Sequence, residues 1–472
     1  MAELRKVPSG IGGLDELTGG GLPAGRPTLV CGGPGCGKTL LAVTFLVHGA
    51  EHADEPGVCI SFDERLTDLA TNVVSLGYDL NALQEKHLLA MDHVHLDRQA
   101  MQEAGDYDLE ALFVRLGCAI AKVKAKRVVL DSIDSLFAGI PNPAVVRSEL
   151  SRLFNWLKDR DLTAIITAER GDSGITRNGI EEYVSDCVIV LDHRIIEQLS
   201  TRRLRVVKYR GSVHGTNEYP FLIDKDGITI LPVTSLRLDQ VASNKRVSSG
   251  IPSLDDMLEG KGYFEGSSIL LGGGPGTGKT TIAARFADAA CRRGERCTYF
   301  SFEESASQLV RNMKSVGIDL GQWIDKGLLH FIPSRPSLCG LELHLSLMLK
   351  EIEAFRPAIA IVDPLSALLS SGTEVQTEIM VLRLVDHFKS TGTTTLFTSL
   401  QSGIDNSAEL GISSLMDTWM VVRNARTEAE LERRFFIVKS RGMAHSAQVR
   451  RLEITSNGTR LGSLPGAAEL PE

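Results

Sequence analysis

The sequence predicts an α/β fold built twice over: two domains in tandem, each a mostly parallel sheet flanked by helices. Three observations carry this expectation. The segment "GGPGCGKT" (32–39) returns as "GGPGTGKT" (273–280), 241 positions later. Further segments recur in the same order at nearly the same offset. Within each copy, short apolar runs alternate with amphipathic stretches, the pattern of strands linked by helices.

The recurrence extends well beyond the glycine loop. "SGIGGLDELTGGGL" (9–22) parallels "SGIPSLDDMLEGKGY" (249–263), and "VCISFDERLTDL" (58–69) parallels "CTYFSFEESASQL" (297–309). "KRVVLDSIDSLF" (126–137) parallels "AIAIVDPLSALL" (358–369), and "KYRGSVHG" (208–215) parallels "KSRGMAHS" (439–446). The offsets from Lys38 to Lys279, Glu64 to Glu304, Asp131 to Asp363 and Lys208 to Lys439 are 241, 240, 232 and 231. Such constancy marks a tandem duplication with its junction near 237–250. The expected domains are 1–240 and 241–456, followed by a short tail, 457–472, rich in Gly, Ala and Pro and expected to be flexible.

In the first copy, "RPTLVCGG", "GVCISF", "RVVLDS", "LTAIITAE" and "DCVIVLD" read as strands, and "SELSRLFNWLKDR" as an amphipathic helix. Continuously apolar strands separated by helices imply a parallel sheet covered on both faces. A chain of 472 residues also exceeds what one ordinary core organises. Its 43% apolar and 23% charged residues are those of a soluble globular protein. A net charge of −8 provides no overall basic field for nucleic acid. The eight cysteines show no CxxC or Cys/His ligand spacing, so free thiols in a reducing cytoplasm are expected rather than a zinc site. "MAELRKVPSG" lacks the apolar core of a signal peptide and no run of 18 apolar residues occurs, so the expected location is cytoplasmic, with no membrane contact.

Each repeated loop has the form G-x-x-x-x-G-K-[ST], a P-loop. Its glycines let backbone N–H groups turn around phosphate oxygens at the start of a helix. Lys38 and Lys279 are placed to reach the β- and γ-phosphates of ATP, and Thr39 and Thr280 to ligate Mg²⁺. Asp131 and Asp363 each end an apolar strand. A lone Asp there also reads as a helix cap; behind a P-loop it reads as the carboxylate that orients the metal and its water. The metal set is thus Thr39 and Asp131 in the first copy, and Thr280, Glu303 and Asp363 in the second.

"SFDE" and "SFEE" set paired acids after the next apolar strand, either a solvated acidic turn or the general base of phosphoryl transfer. The candidates are Asp63 and Glu64, then Glu303 and Glu304. Asp63 is one methylene shorter than Glu303, so reach alone selects Glu64 in the first copy. "KYRG" and "KSRG" put Lys and Arg on alternate positions of one strand, facing the same way. They are either surface charge or a finger supplied to a neighbouring subunit's γ-phosphate. The second reading requires a ring.

Taken together, these residues resemble the KaiC family within the RecA-like ATPases, from about residue 5 to 455. The resemblance rests on the paired P-loops, FDE/FEE, the Asp-ended strands, "GIEEYVSDCVIVL" (179–191), "YRGSVHGTNEYPF" (209–221) and "NKRVSSGIPSLDDM" (244–257). It implies two RecA-like domains, a homohexameric double ring with ATP between subunits, a slow ATPase in the first domain, and an ATPase and serine/threonine autokinase in the second. Where the family has its Ser–Thr acceptor pair, this chain has Ser413 and Ser414 in "GISSLMDT" (411–418). Ser keeps the hydroxyl but loses the β-branch that stiffens χ1. Outside the family context the pair reads as an ordinary loop. The family pattern also nominates the first acid of each pair as base.

The nucleotide contacts implied by the resemblance are, in the first domain, Gly35, Cys36, Gly37, Lys38, Thr39, Leu40, Ser75, Lys208, Tyr209, Arg210, Ser212 and His214. In the second they are Gly276, Thr277, Gly278, Lys279, Thr280, Thr281, Arg433, Lys439, Ser440, Arg441 and His445. Val316 stands where the family stacks a Trp near the second adenine, so weaker base stacking is expected there. The family's long C-terminal tail, grasped by KaiA, has no counterpart in 457–472, which argues against KaiA regulation. A KaiB-like partner on the first ring remains compatible with the sequence. Two other classes stay open: a RecA/RadA-like DNA-dependent ATPase, which "GIPNPAVVRSELSRLFNWLKDR" (139–160) disfavours by its low basicity, and an ATP-gated scaffold without autokinase activity.

Overall fold

The apolar runs lie side by side as one nine-stranded sheet in each half of the computed structural model. Contacts divide the chain into two units, Met1–Ser235 and Leu236–Glu472. The structure describes residues 4–94, 109–137, 142–171, 176, 185–196, 199–224, 227–230, 243–338, 340–400, 407–426, 431–456 and 458–464. Part of the expected junction (237–242), residues 179–184 of "GIEEYV", and residues 457 and 465–472 of the expected tail lie outside the described residues.

In the first unit a short ribbon, β1 (Lys6–Val7) with β2 (Leu22–Pro23), precedes the sheet. The sheet strands are β3 (Pro27–Gly32), β4 (Gly57–Ser61), β5 (Leu89–His93), β6 (Arg127–Asp131), β7 (Thr163–Glu169), β8 (Cys187–Ile196), β9 (Leu199–Tyr209), β10 (Tyr219–Asp224) and β11 (Gly227–Ile230). Their order is β11-β10-β9-β8-β3-β7-β6-β4-β5. Strands β5 to β8 in that row, β3 included, are parallel, whereas β8, β9, β10 and β11 pair antiparallel. Every residue of β3, β4 and β6 is buried, as strands covered on both faces must be.

Alternation along the strands explains which helix covers which face. Val30, Val129 and Ile165 point one way, into a core shared with Phe45 of α1 (Lys38–His52) and Leu69 of α2 (Leu66–Val74). Leu29, Val128 and Ile166 point the other way, toward Leu116 of α3 (Glu110–Val123) and Leu153 of α4 (Pro143–Lys158).

The second unit repeats this plan. After the ribbon β12 (Arg246–Val247) and β13 (Tyr263–Phe264) come β14 (Ser268–Gly273), β15 (Cys297–Ser301), β16 (Leu329–Pro333), β17 (Ile359–Asp363), β18 (Thr394–Leu400), β19 (Thr418–Arg426), β20 (Leu431–Ser440), β21 (Arg450–Thr455) and β22 (Gly458–Gly462). The order, β16-β15-β17-β18-β14-β19-β20-β21-β22, matches the first sheet strand for strand. The principal helices are α5 (Lys279–Arg292), α6 (Ala306–Lys314), α7 (Leu341–Phe355), α8 (Glu374–Ser390) and α9 (Ser407–Leu415). Capping boxes fix two starts, Ser305 with Gln308 for α6 and Thr373 with Gln376 for α8. The chain is therefore two RecA-like α/β domains in tandem.

One local expectation is corrected. The Lys-x-Arg pairs do not share a strand, because β9 closes at Tyr209 and β20 at Ser440. Arg210 and Arg441 open the turns that Gly211 (φ 81) and Gly442 (φ 75) complete in the left-handed region, where Gly carries no Cβ penalty. Within the tail, residues 458–462 form β22 and pair with β21.

Candidate functional site

In each unit the central strand, β3 or β14, runs straight into a glycine loop and then a helix. Gly35 (φ 68) and Gly276 (φ 69) take left-handed conformations, and added Cβ atoms there would point into open space. Gly37 and Gly278 are needed twice over: φ is 102 and 99, and a Cβ would meet Ile223 at 2.9 Å or Ile454 at 2.4 Å. Those two glycines are also the N-caps of α1 and α5, with no side-chain cap bond. No cap side chain therefore closes these helix starts, the arrangement that receives an anion.

Lys38 Nζ donates to the carbonyls of Gly32 (2.8 Å) and Gly33 (3.0 Å), and Lys279 Nζ to those of Gly273 and Gly274, both at 2.8 Å. In the first unit Thr39 Oγ1 lies 3.0 and 3.2 Å from the two oxygens of Asp131, and Thr167 donates to Oδ1 at 2.6 Å. Burial pushes the Asp131 carboxyl above its usual range, opposed by the Thr167 and Thr39 hydrogen bonds and the Lys38 charge. A buried anion beside a free-ended P-loop is a site chemically matched to a divalent cation on a phosphate. Thr39 and Asp131, and their counterparts Thr280 and Asp363, would hold Mg²⁺; when bound it neutralises charge on the β- and γ-phosphate oxygens.

In the second unit one cleft of about 430 Å³ gathers nine of the expected residues: Gly276 through Thr281, Glu303, Asp363 and Arg433. Pro275, Pro364, Leu400 and Ile454 complete its lining. Glu304 is not among them. The Glu304 carboxylate accepts from Asn312 of α6 at 3.4 and 3.5 Å, and Glu64 accepts from Asn72 of α2 at 2.6 Å. Burial raises the Glu64 carboxyl, with the Asn72 hydrogen bond working against the rise. Asp63 accepts a short hydrogen bond from Ser135. Ser75, at the exposed C-cap of α2, and Val316, packed against the second core, belong to neither glycine loop.

The remaining expected contacts stand elsewhere, and strand register shows where. Gly32 pairs with Leu191 and Leu191 with Leu204, so the P-loop end of β9 lies near 202–204. Lys208 pairs instead with Val188, level with Leu29, and Tyr209 with Cys187, level with Thr28. Four residues of strand separate Thr28 from Gly32, about 13 Å. Lys208, Tyr209, Arg210, Ser212 and His214 thus occupy the sheet end opposite their own P-loop. Lys439, Ser440, Arg441 and His445 do the same, since Lys439 pairs with Trp419, level with Leu270. Burial lowers the Lys439 ammonium pKa.

These far-end groups are braced. Lys6 of β1 donates to the Ser212 hydroxyl at 2.7 Å and lies over the Tyr209 ring. Arg210 lies 3.7 Å from the buried Asp186, which Lys158 also meets at 2.5 Å. Arg441 Nη2 donates to the Ser414 carbonyl at 2.6 Å, tying this turn to α9. On α9, Ser413 is buried (4% exposed) and Ser414 exposed.

The KaiC ATPase family profile matches residues 7–235 and again 247–464. The chain belongs to the KaiC family. It is 51% identical over 462 residues to the circadian clock protein KaiC2 of Synechocystis sp., covering 97% of this chain and 81% of that protein. It is 39% identical to the circadian clock oscillator protein KaiC of Picosynechococcus sp., over 97% of this chain and 90% of the relative. The same identity holds for the clock oscillator protein KaiC 1 of Synechocystis sp., over 96% and 88%. As a KaiC protein it carries two ATPase domains. Among the described residues no helix is long and apolar enough to cross a membrane.

Sequence reasoning missed several residues that stand beside these P-loops and carboxylates. Arg202 pairs with His193 beside the first P-loop, where its charge acts on Cys36; its counterpart Arg433 donates to Gly276 O at 3.4 Å. Arg433 was nominated and Arg202 was not, although both sit at the 231 offset of the Lys208–Lys439 pair. Asn72 and Asn312, and Thr167 and Thr398, recur at the offsets 240 and 231 of their neighbours, so a full alignment of the two copies would have found them.

Proposed function

We propose that this protein is a KaiC-like clock ATPase whose second domain also transfers the γ-phosphoryl group of ATP, with Mg²⁺, to Ser413 and Ser414 of a neighbouring subunit in a cytoplasmic homohexamer. One observation carries the reading: Lys208, Arg210, Lys439 and Arg441 stand at the sheet end opposite their own P-loops. They can serve a nucleotide only on another subunit, which a ring supplies. By the same register Arg202 and Arg433 serve the nucleotide of their own subunit.

In the second domain the acceptor hydroxyl oxygen attacks the γ-phosphorus, the bond to the β–γ bridging oxygen breaks, and ADP leaves. Glu303, which lines the cleft with Lys279 and Asp363, takes the hydroxyl proton. Its counterpart Asp63 takes the proton of water in the first domain. This reading sets the anchoring of Glu64 and Glu304 by Asn72 and Asn312 against the reach that nominated Glu64. A KaiB-like protein is the expected partner class.

The test is mass spectrometry of the purified protein after incubation with Mg-ATP, with light scattering alongside. Phosphate on Ser413 or Ser414 and a sixfold assembly are expected. A strict monomer under saturating Mg-ATP ends the ring, and an assembled but unlabelled protein leaves an ATP-gated scaffold.

A further inference from the structure

The two Asp carboxylates are held differently. In the first unit Asp131 is clasped by the P-loop through Thr39, and by Thr167. In the second unit Thr398, the counterpart of Thr167, donates to Asp363 Oδ1. Asp363 Oδ2, however, accepts from the hydroxyl of Tyr299 at 2.6 Å. Among the described residues Thr280 makes no side-chain hydrogen bond to Asp363, and Cys59, the counterpart of Tyr299, makes none to Asp131.

Register explains how Tyr299 arrives there. Tyr299 pairs with Ile361 and Ser301 with Asp363, so the ring starts two residues below the carboxylate on the neighbouring strand. A side chain as long as tyrosine spans that step, and a cysteine does not. The ring is fully buried and stacks on Phe331 at 5.4 Å between centroids. A buried phenol needs a partner, and here the partner is the carboxylate itself.

We infer that Tyr299 is a positioning residue of the second site: its hydroxyl, with that of Thr398, fixes the Asp363 carboxylate for the divalent cation carried by the nucleotide. In the first site Thr39 takes the place of that second donor, giving its proton to Asp131 while its oxygen lone pairs stay available to the cation. The inference rests on the proposed nucleotide reading, and makes the two sites of one chain unequal in their hold on the cation. Outer partners of this kind change metal affinity by roughly 10–100-fold when removed.

The experiment uses the full chain with Lys38→Ala to silence the first site. Mn²⁺ binding in the presence of a non-hydrolysable ATP analogue is read by electron paramagnetic resonance, and binding of the analogue without metal is measured separately. Tyr299→Phe should weaken Mn²⁺ binding about tenfold and leave metal-free analogue binding unchanged. Mn²⁺ binding equal to or tighter than the parent's, or an equal loss of metal-free binding, overturns the inference. Should Tyr299→Phe not fold, 3-fluorotyrosine at 299 keeps the shape with a more acidic donor. It should bind Mn²⁺ at least as tightly as the parent; weaker binding overturns the inference. A parent that binds the analogue but no Mn²⁺ overturns the cation reading together with this one.

Discussion

Arg202 and Lys208 are six residues apart on one strand, yet only Arg202 stands level with the first P-loop, while Lys208 stands level with Leu29. The same strand therefore sets one cation beside the subunit's own P-loop and one at the far end of the sheet.

From this geometry, Arg202→Ala should weaken nucleotide binding by the subunit that carries it. Arg210→Ala should instead silence a neighbour's first site, by about 10³-fold for a finger contributed in trans. Mixing Arg210→Ala subunits with Lys38→Ala subunits should restore part of the first-site turnover, because some interfaces then pair an intact P-loop with an intact finger. Turnover in the mixture no higher than the mean of the two separate variants would refute the assignment.

Asp131 links the site to pH. Burial raises its carboxyl pKa in the folded protein. The folded state then holds this proton more tightly than the unfolded chain does. The resulting stabilisation is full below the ordinary carboxylate pKa and is lost as pH rises through the raised folded value. At neutral pH, without nucleotide, Asp131→Asn should thus be no less stable than the parent, as denaturant melts will show. Saturating Mg-ATP, worth about 2.7 kcal/mol at a hundredfold excess over Kd, should stabilise the variant less than the parent.

The acid pairs make a third expectation. Asp63→Asn and Glu303→Gln should each lower turnover of their own site by on the order of 10²-fold or more. Glu64→Gln and Glu304→Gln should cost less, since both carboxylates are anchored to Asn72 and Asn312. Single-site rates, read with the other P-loop lysine replaced by Ala, decide the matter. Loss on Glu64→Gln with Asp63→Asn intact would return the role to Glu64.

Helix α9, which carries the proposed acceptors, gives a fourth. Ser414 is exposed and Ser413 is 4% exposed. Ser414 should take labelled phosphate first, and Ser414→Ala should remove most early label. A phosphate adds about −1.5 to −2 charges one residue from a buried position, so it should loosen α9 and expose Ser413. Label entering Ser413 first in Ser414-intact protein would reverse this order.

The sequence by itself determined the duplication, the α/β class, the P-loops and the Asp-ended strands. These are local patterns: a spacing of glycines, an alternation of apolar residues, and the same words at a constant offset. It could not determine which end of a strand a side chain occupies relative to its own P-loop. That depends on pairing register between β3 and β8, contacts between residues more than 150 positions apart, carried on to β9 through its pairing with β8. Register also separated Arg202 from Lys208, and ended the strand before Arg210, where a left-handed glycine turns the chain. The partners of the carboxylates were equally hidden: Asn72 of α2 reaches back to Glu64 just before the helix, and Tyr299 meets Asp363 on the neighbouring strand. A tyrosine in an apolar strand reads as core from sequence alone. Only the tertiary structure, by setting β15 beside β17, gives its hydroxyl a carboxylate to hold.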